Sequence, residues 1–495
     1  MSADEGCPPS RLRALNDAPV RPERAFVLYW MIGARRLSHN HALDRAAHWA
    51  RRLRRGLLVF EPLRCDYPYA SERIHRFVLD GMRDNAERAR RARLTYVPWV
   101  ERAPGEGRGL LAALAREAAV VVTDLSGIPW LRAMAEAAAR AIDVRLEAVD
   151  SLGLVPVYAA PRAFPTAAGF RRWLHAVLPE HLAAAPRAGP FTDLPAPPPL
   201  PRALHGPWRS LSDAELRTPQ ALVATLPLDR EVIPVESERG GTRAALDRLG
   251  HFLEHGLPRY TERHHPDLDV ASRLSAALHF GHIGVHEVLQ TLAQRLDWTP
   301  RAIRPEAAGD RERFWNLTTP AALFLDELVT WRHLAQVRAV LDPSGVARWV
   351  GLPPWARATL ERHAHDPRPA LYDLDRLERA ATEDPVWNAA QRQLRAQGRI
   401  HSYMRMLWGK RVLAWTPQPR EAFRLLLHLN DRWSLDGRDP ASWLNVGWIF
   451  GLCDRPWAPE RPIYGTVRYM STTAALRKLR MRRWLERWSS DPVHA

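Results

Sequence analysis

Twenty tryptophans stand out among the residues able to do chemistry. Most must fill cores, but some can enclose an aromatic ligand or carry electrons. Trp408 and Trp415 are seven residues apart, two helical turns, so a helix over 400–415 places both on one side. Trp387 stands on the preceding predicted helix, 384–398. Glu327 and Trp331 are four apart in a predicted helix over 320–341, so a carboxylate and a flat ring share a face. His279, His282 and His286 follow i, i+3, i+7 and could face one way. With 20 histidines in the chain, satisfied or exposed rings are the plainer reading, and no metal site is expected. His286-Glu287 opens an H-E-x-x-H pattern, but Gln290 stands where its second histidine belongs. Neither G-x-G-x-x-G nor a P-loop occurs, so dinucleotide binding is unsupported. Three cysteines, Cys7, Cys65 and Cys453, give neither a disulfide framework nor a zinc site.

The elements that must hold these residues change character along the chain. Residues 1–20 read as a flexible tail. Apolar runs at 25–31 (AFVLYWM), 56–60 (GLLVF) and 119–122 (AVVV) read as buried strands, with 155–159 (VPVYA) as an edge strand because of Pro156. Helical stretches at 43–55, 70–93 and 109–117 lie between them, which argues for a parallel α/β sheet buried on both faces. That sheet defines a Rossmann-like N-terminal domain, 21–183. The stretch 184–236 contains PAPPPLPR at 195–202 and reads as a proline-rich linker or crossover. From 237 to 495 the pattern is helical almost throughout, an all-α domain, with helices at 243–255, 274–295, 320–341, 354–363, 384–398, 400–415, 421–433 and 472–488. Asp384-Pro385 is a helix start, a carboxylate cap followed by proline in the first turn.

Composition sets the outer limits. The 495 residues are 46% hydrophobic and 25% charged, the balance of a globular protein with a sizeable core. No uncharged apolar run approaches the ~20 residues that span a bilayer, and residues 1–10 lack an apolar signal core. A cytoplasmic protein without membrane partners is expected. Lys+Arg is 71 against Asp+Glu 55, a formal charge of +16, which attracts polyanions such as nucleic acid. The bland alternative, given less weight, is that a GC-rich genome simply uses arginine for lysine.

Several stretches share one pattern: LSAALHFGHIG (274–284), LFLDELVTWRHL (323–334), DPVWNAAQ (384–391), GRIHSYMRMLWGKRVLAW (398–415), LNDRWSLDGRDP (429–440) and ERPIYGTVRYM (460–470). With VLYWM (27–31), they make the chain resemble the class II cyclobutane pyrimidine dimer photolyases, in that family's order, from about residue 25 to 480. The resemblance implies an α/β antenna domain and a helical catalytic domain that binds FAD, active in its reduced form. It implies a light-driven lyase that returns dimerised pyrimidines in double-stranded DNA to monomers, on a base flipped from the duplex. A second, antenna chromophore, an 8-hydroxy-deazaflavin or a folate, and a monomeric state go with it.

The same resemblance assigns residues. Glu327, Trp331 and Trp448 line the dimer pocket, with Met406 beside it. Asn430 faces flavin N5, Arg405 and Asp436 form an ion pair beside the ring system, and Arg438 lies close to it. Tyr260, Arg263, Ser272, Arg273, Leu274 and Ser275 serve the pyrophosphate, in a segment that opens a helix. Trp408, Trp387 and Trp415, inner to outer, relay electrons from the surface. Arg432, Arg461 and Arg468 contact DNA. The chain departs from the family pattern at Ala276-Ala277, His282, His333, Gln336, Val337 and Thr466, and an acidic residue is missing before Arg35. Those departures keep two other readings in view: a cryptochrome-like FAD photoreceptor that has lost repair, and a basic DNA-binding protein without cofactor.

Overall fold

Phe26, Leu28 and Trp30 alternate along one strand with Val27, Tyr29 and Met31, and the two sets enter different cores. This is the period-two signature of a strand covered on both faces. The computed structural model describes residues 6–490. The chain groups into two compact units. The first holds residues up to Pro161, Val177–Gly250 and Leu274–Arg301; the second holds Arg162–Ala176, His251–Arg273 and the chain from Ala302 on.

The first unit is built on six strands: β1 (Leu12–Ala14), β2 (Phe26–Trp30), β3 (Gly56–Leu63), β4 (Thr95–Val100), β5 (Ala118–Asp124) and β6 (Leu146–Val149). Their order is β1-β6-β5-β2-β3-β4, parallel except for β1. Helices His41–Leu53 and Glu72–Arg91 supply apolar residues to one core, and Leu110–Ala115 and Pro129–Ala141 to the other. A fully buried Leu such as Leu28 contributes about 2–5 kcal/mol against truncation to Ala. Order reverses beside β2, the crevice where open α/β sheets bind ligands. Here the Asp124 carboxylate fills it, accepting from the backbone N–H of Ile32, Gly33 and Ala34 at 2.9, 2.7 and 3.1 Å. A protein carboxylate thus takes donors that a phosphate would use elsewhere, in keeping with the absence of a dinucleotide fingerprint.

Three expectations need correction. Residues 155–159 do not form a strand; Val157–Ala159 is a single 3-10 turn, entered from Pro156. Strands β1, β4 and β6 are additional to those expected, and β1 falls inside residues 1–20. The helix expected over 274–295 breaks into Ser275–His279 and Val285–Arg295. Gly281 adopts φ +71°, and a Cβ there would lie 2.0 Å from the Gly33 carbonyl, so only glycine fits the break. His282 beyond it is buried, stacked on Phe77 at 5.1 Å, and its Nδ1 accepts from Gly241 N–H. His286 instead packs edge-on against His41. The proline-rich stretch lies along the first unit: Thr95 Oγ1 donates to the Pro198 carbonyl, and the chain passes so close to Gly56 that a Cβ there would clash.

The second unit is helical. Its principal helices are Thr319–Leu325, Arg332–Leu341, Pro354–Arg362, Pro385–Gln397, Ser402–Trp415, Pro419–Trp433 and Pro440–Ile449. Asp384 caps its helix as expected, accepting from Val386 and Trp387 N–H, while its second oxygen takes Arg411 and Thr472. Among the described residues no helix is long and apolar enough to cross a membrane.

Candidate active site

Glu327 and Trp331 share one short element, but it is not the α-helix expected. Asp326–Trp331 forms a π turn between Thr319–Leu325 and Arg332–Leu341, closed by Arg332 N–H on the Glu327 carbonyl. The wider turn rotates residues four apart differently from an α-helix, and such turns recur at functional sites. The Glu327 side chain is 48% exposed, and an Arg263 guanidinium nitrogen lies 3.7 Å from its carboxylate. Burial pushes its carboxyl up from the usual value, with Arg263 opposing and the neighbouring Asp326 adding. Arg263 also lies over the Tyr260 ring at 4.9 Å, and Tyr260 packs edge-on against Phe324 of the helix leading into the π turn.

Trp331 stacks on Trp448, centroids 5.0 Å apart and planes inclined by 28°. Both are half-buried. The pair presents a flat apolar wall, suited to a planar ligand. Trp448 stands at the end of the Pro440–Ile449 helix. Lys410, fully buried, donates from Nζ to the Ile449 carbonyl beside it and so caps that helix end. Burial pulls the Lys410 pKa down to about 7.

The start of the same helix joins a polar network. The Asn430 amide donates to Asp431 Oδ1 at 2.8 Å and accepts from Ser442 Oγ at 2.9 Å, so both its ends are fixed. One amide N–H is not used in these contacts. Arg405 donates to Ser442 Oγ and to Asp436, each at 3.3 Å, and Ser434 Oγ donates to Asp436 at 2.5 Å. Asp431 accepts from Trp443 Nε1 and from the Arg438 backbone N–H, with Arg438 at φ +63°. Met406 is half-buried on the Arg405 helix.

Trp408, Trp387 and Trp415 are in van der Waals sequence, and each is no more than 3% exposed. Trp408 and Trp387 lie nearly parallel, 6.3 Å apart with 7° between planes, and Trp415 meets Trp387 edge-on at 5.6 Å. Trp408 Nε1 donates to Gln391 Oε1 and Trp387 Nε1 to the Trp408 carbonyl, both at 3.0 Å. Tyr372 continues the line, edge-on to Trp415 at 5.0 Å. Ring contacts this short allow an electron to hop from indole to indole.

The remaining predicted residues are less concentrated. Arg273 pairs with Asp269, which Arg399 also holds at 3.0 Å. Ser272 is half-buried. Leu274 and Ser275 fall in the first unit, where Ser275 opens a helix that already ends at His279. Arg432 is tied to both oxygens of Glu378 at 2.8 Å. Arg461 lies over the exposed Tyr469 ring and Arg468 over the exposed Trp457 ring, at 5.0 and 5.1 Å.

Over 480 residues the chain is 32% identical to a deoxyribodipyrimidine photo-lyase of Methanothermobacter thermautotrophicus, covering 96% of this chain and 97% of that one. It belongs to the deoxyribodipyrimidine photo-lyase family. A photo-lyase of Potorous tridactylus is 30% identical over 478 residues, 94% of this chain and 82% of that one. The fold agrees with a bacterial class III photolyase from Agrobacterium tumefaciens at a TM-score of 0.66 and 17% identity, over 94% of this chain and 86% of that one. No family model matches the chain.

Against this photolyase background, several residues of the site went unread in the sequence. Asp431 and Gln391 lie inside LNDRW and DPVWNAAQ, but a carboxylate or amide in a motif does not name its partner until the chain is folded. Lys410 likewise lies inside GRIHSYMRMLWGKRVLAW, whereas Ser442 carries no motif. Arg171 is the least accessible to sequence reasoning: it reaches Asp326 across 155 residues of chain.

Proposed function

We propose that the chain is a class II cyclobutane pyrimidine dimer photolyase that repairs double-stranded DNA in light, acting as a monomer in the cytoplasm. Its substrate is a pyrimidine dimer flipped from the duplex, and its helical region, 237–495, holds FAD. Reduced FAD, when bound, supplies the light-driven electron that opens the cyclobutane ring. The observation that carries this reading is the stacked Trp331–Trp448 wall, with Glu327 in the same π turn as Trp331. A cyclobutane dimer joins two pyrimidine rings through saturated C5 and C6 carbons, apolar on that side and polar along its carbonyl and imide edges. The tryptophan pair covers a face, and the Glu327 carboxyl meets an edge as hydrogen-bond partner. That division is what recognition of an extruded base requires.

The polar network fits a flavin ring. Asn430, held at both ends, keeps one N–H directed by the fold rather than by solvent. The Arg405 cation, paired with Asp436, adds positive charge that favours an anionic reduced ring. Tyr260, Arg263, Ser272, Arg273, Leu274 and Ser275 supply the donors for the pyrophosphate. Trp415, Trp387 and Trp408 carry electrons inward, so the enzyme regains its reduced form after oxidation. Arg461 and Arg468 meet phosphates, with Tyr469 and Trp457 beneath them as stacking surfaces. An antenna chromophore, an 8-hydroxy-deazaflavin or a folate, belongs to the α/β region, 21–183.

The test is direct. Purified protein with its natural cofactor is reduced, mixed with an oligonucleotide bearing one thymine dimer, and illuminated with blue light. Recovery of thymine absorbance over a dark control is expected. Glu327→Ala lowers that recovery at least tenfold while flavin absorbance stays. Bound flavin with no light-dependent recovery in the parent would overturn the repair reading in favour of a photoreceptor, and colourless protein would favour a cofactor-free DNA-binding protein.

A further inference from the structure

The Glu327 turn begins with a second acid that the dimer pocket does not employ. Asp326 is buried, yet it lies next to Glu327 in sequence and opens the π turn. Arg171 meets it in a fork, Nε to Oδ1 at 2.6 Å and Nη2 to Oδ2 at 2.8 Å, with both side chains largely shielded from water. Arg171 comes from the Ala167–Leu182 helix, whose first part, through Ala176, belongs to the second unit. A fork of this kind fixes the direction of both partners as well as their charge. Removing one partner of a buried pair leaves an uncompensated charge.

We infer that Arg171 and Asp326 are positioning residues for Glu327: their buried ion pair anchors the start of the π turn and sets the charge under which Glu327 meets its ligand. The inference rests on the reading of Glu327 as a dimer-pocket residue. The groups that face Glu327 are Arg263 and Tyr260 from the turn over 252–263, Asp326 in its own element, Arg171 from the Ala167–Leu182 helix, and Arg311 from the loop ahead of Thr319. His175, one turn after Arg171, lies near Asp326 and stacks on Phe314 at 3.7 Å. Among these charges, Asp326 opposes ionisation of Glu327 and Arg171 favours it. Intact, the two partners act on Glu327 in opposite senses. Broken, it acts on Glu327 with whichever sign remains.

Two substitutions therefore act in opposite directions. Arg171→Met leaves the anion, so Glu327 becomes harder to ionise and its limb of the pH–repair profile moves to higher pH. This holds whether the ionised or the protonated carboxyl is the working form. Asp326→Asn is nearly isosteric, leaves the cation, and moves the same limb to lower pH. Shifts of up to about one pH unit are expected, since an opposite charge at close range moves a carboxyl by one unit or more. Arg171→Lys, keeping the charge without the fork, holds the limb in place but raises KM for the dimer. Flavin content and photoreduction stay at parental levels in all three variants. A purely structural role would weaken repair in both variants without moving the limb in opposite senses, and an unmoved limb or two shifts of one sign would overturn the inference. Should Arg171→Met not fold, Asp326→Asn alone decides, because only the downward shift agrees. Glu327→Gln separates the two levels. If it repairs like the parent, the pocket reading itself falls. If it abolishes the limb while Asp326→Asn leaves the parental limb unmoved, the pairing inference falls alone.

Discussion

Trp387 occupies the middle of the indole line, and its position is set twice over. Its ring lies against Trp408 on one side and Trp415 on the other, and its Nε1 is spent on the Trp408 carbonyl. Trp387→Phe keeps most of the volume but removes an indole that electrons must cross. Photoreduction of oxidised enzyme is expected to fall at least tenfold, while chemically reduced enzyme repairs at the parental rate. Flash photolysis and the repair assay check the two halves separately; normal photoreduction would remove the relay assignment. At this scale the sequence was informative where chemistry depends on spacing. The interval from Trp408 to Trp415 reads directly as one helix side. The acceptors Gln391 and Ser442 were less accessible, because a neutral amide or hydroxyl gives no sign of its partner until the chain is folded.

Helix starts and strand faces were legible because they rest on local physics. The Asp384-Pro385 cap, the alternation in β2 and the helix boundaries near 41–53 and 72–91 all follow from neighbours in sequence. Elements defined by distant partners were not legible. β4 contains Pro98 and survives as a strand because it lies at the sheet edge. β6 hides behind Glu147, an acid in a buried strand, neutralised by Arg45 at 2.8 Å and also held by Trp49 and Arg145. The π turn at Asp326–Trp331 leaves no residue signature at all. A prediction belongs to the Asp384 cap. Asp384→Ala removes two cap bonds and also the partner of Arg411, which lies over Trp415 at 4.8 Å. Chemical denaturation is expected to register a loss of about 1–2 kcal/mol, with slower photoreduction as the Trp387 helix start loosens. An unchanged midpoint would mean that the cap is redundant.

For the whole molecule, the charge of +16 makes salt dependence the informative quantity. Affinity for undamaged duplex is expected to fall steeply as salt rises. Arg461→Gln and Arg468→Gln should each reduce the slope of log K against log salt by about one. Arg432→Gln should leave it unchanged, because that guanidinium is engaged by Glu378. Equal slopes for all three would remove Arg461 and Arg468 from the DNA contact. The net charge was visible in composition; which arginines are committed to internal acids was not, since pairing is decided by the fold.

The membership of Arg162–Ala176 in the second unit has a practical bearing on recombination. A chimera that exchanges everything before residue 237, the boundary that sequence texture suggests, would carry Arg171 away with the α/β sheet. Asp326 would be left charged and buried beside Glu327, and a graft meant to change only light harvesting would alter repair as well. Designers of such hybrids should keep the parental Ala167–Leu182 helix with the catalytic half, or transplant Arg171 and Asp326 together as one heritable unit.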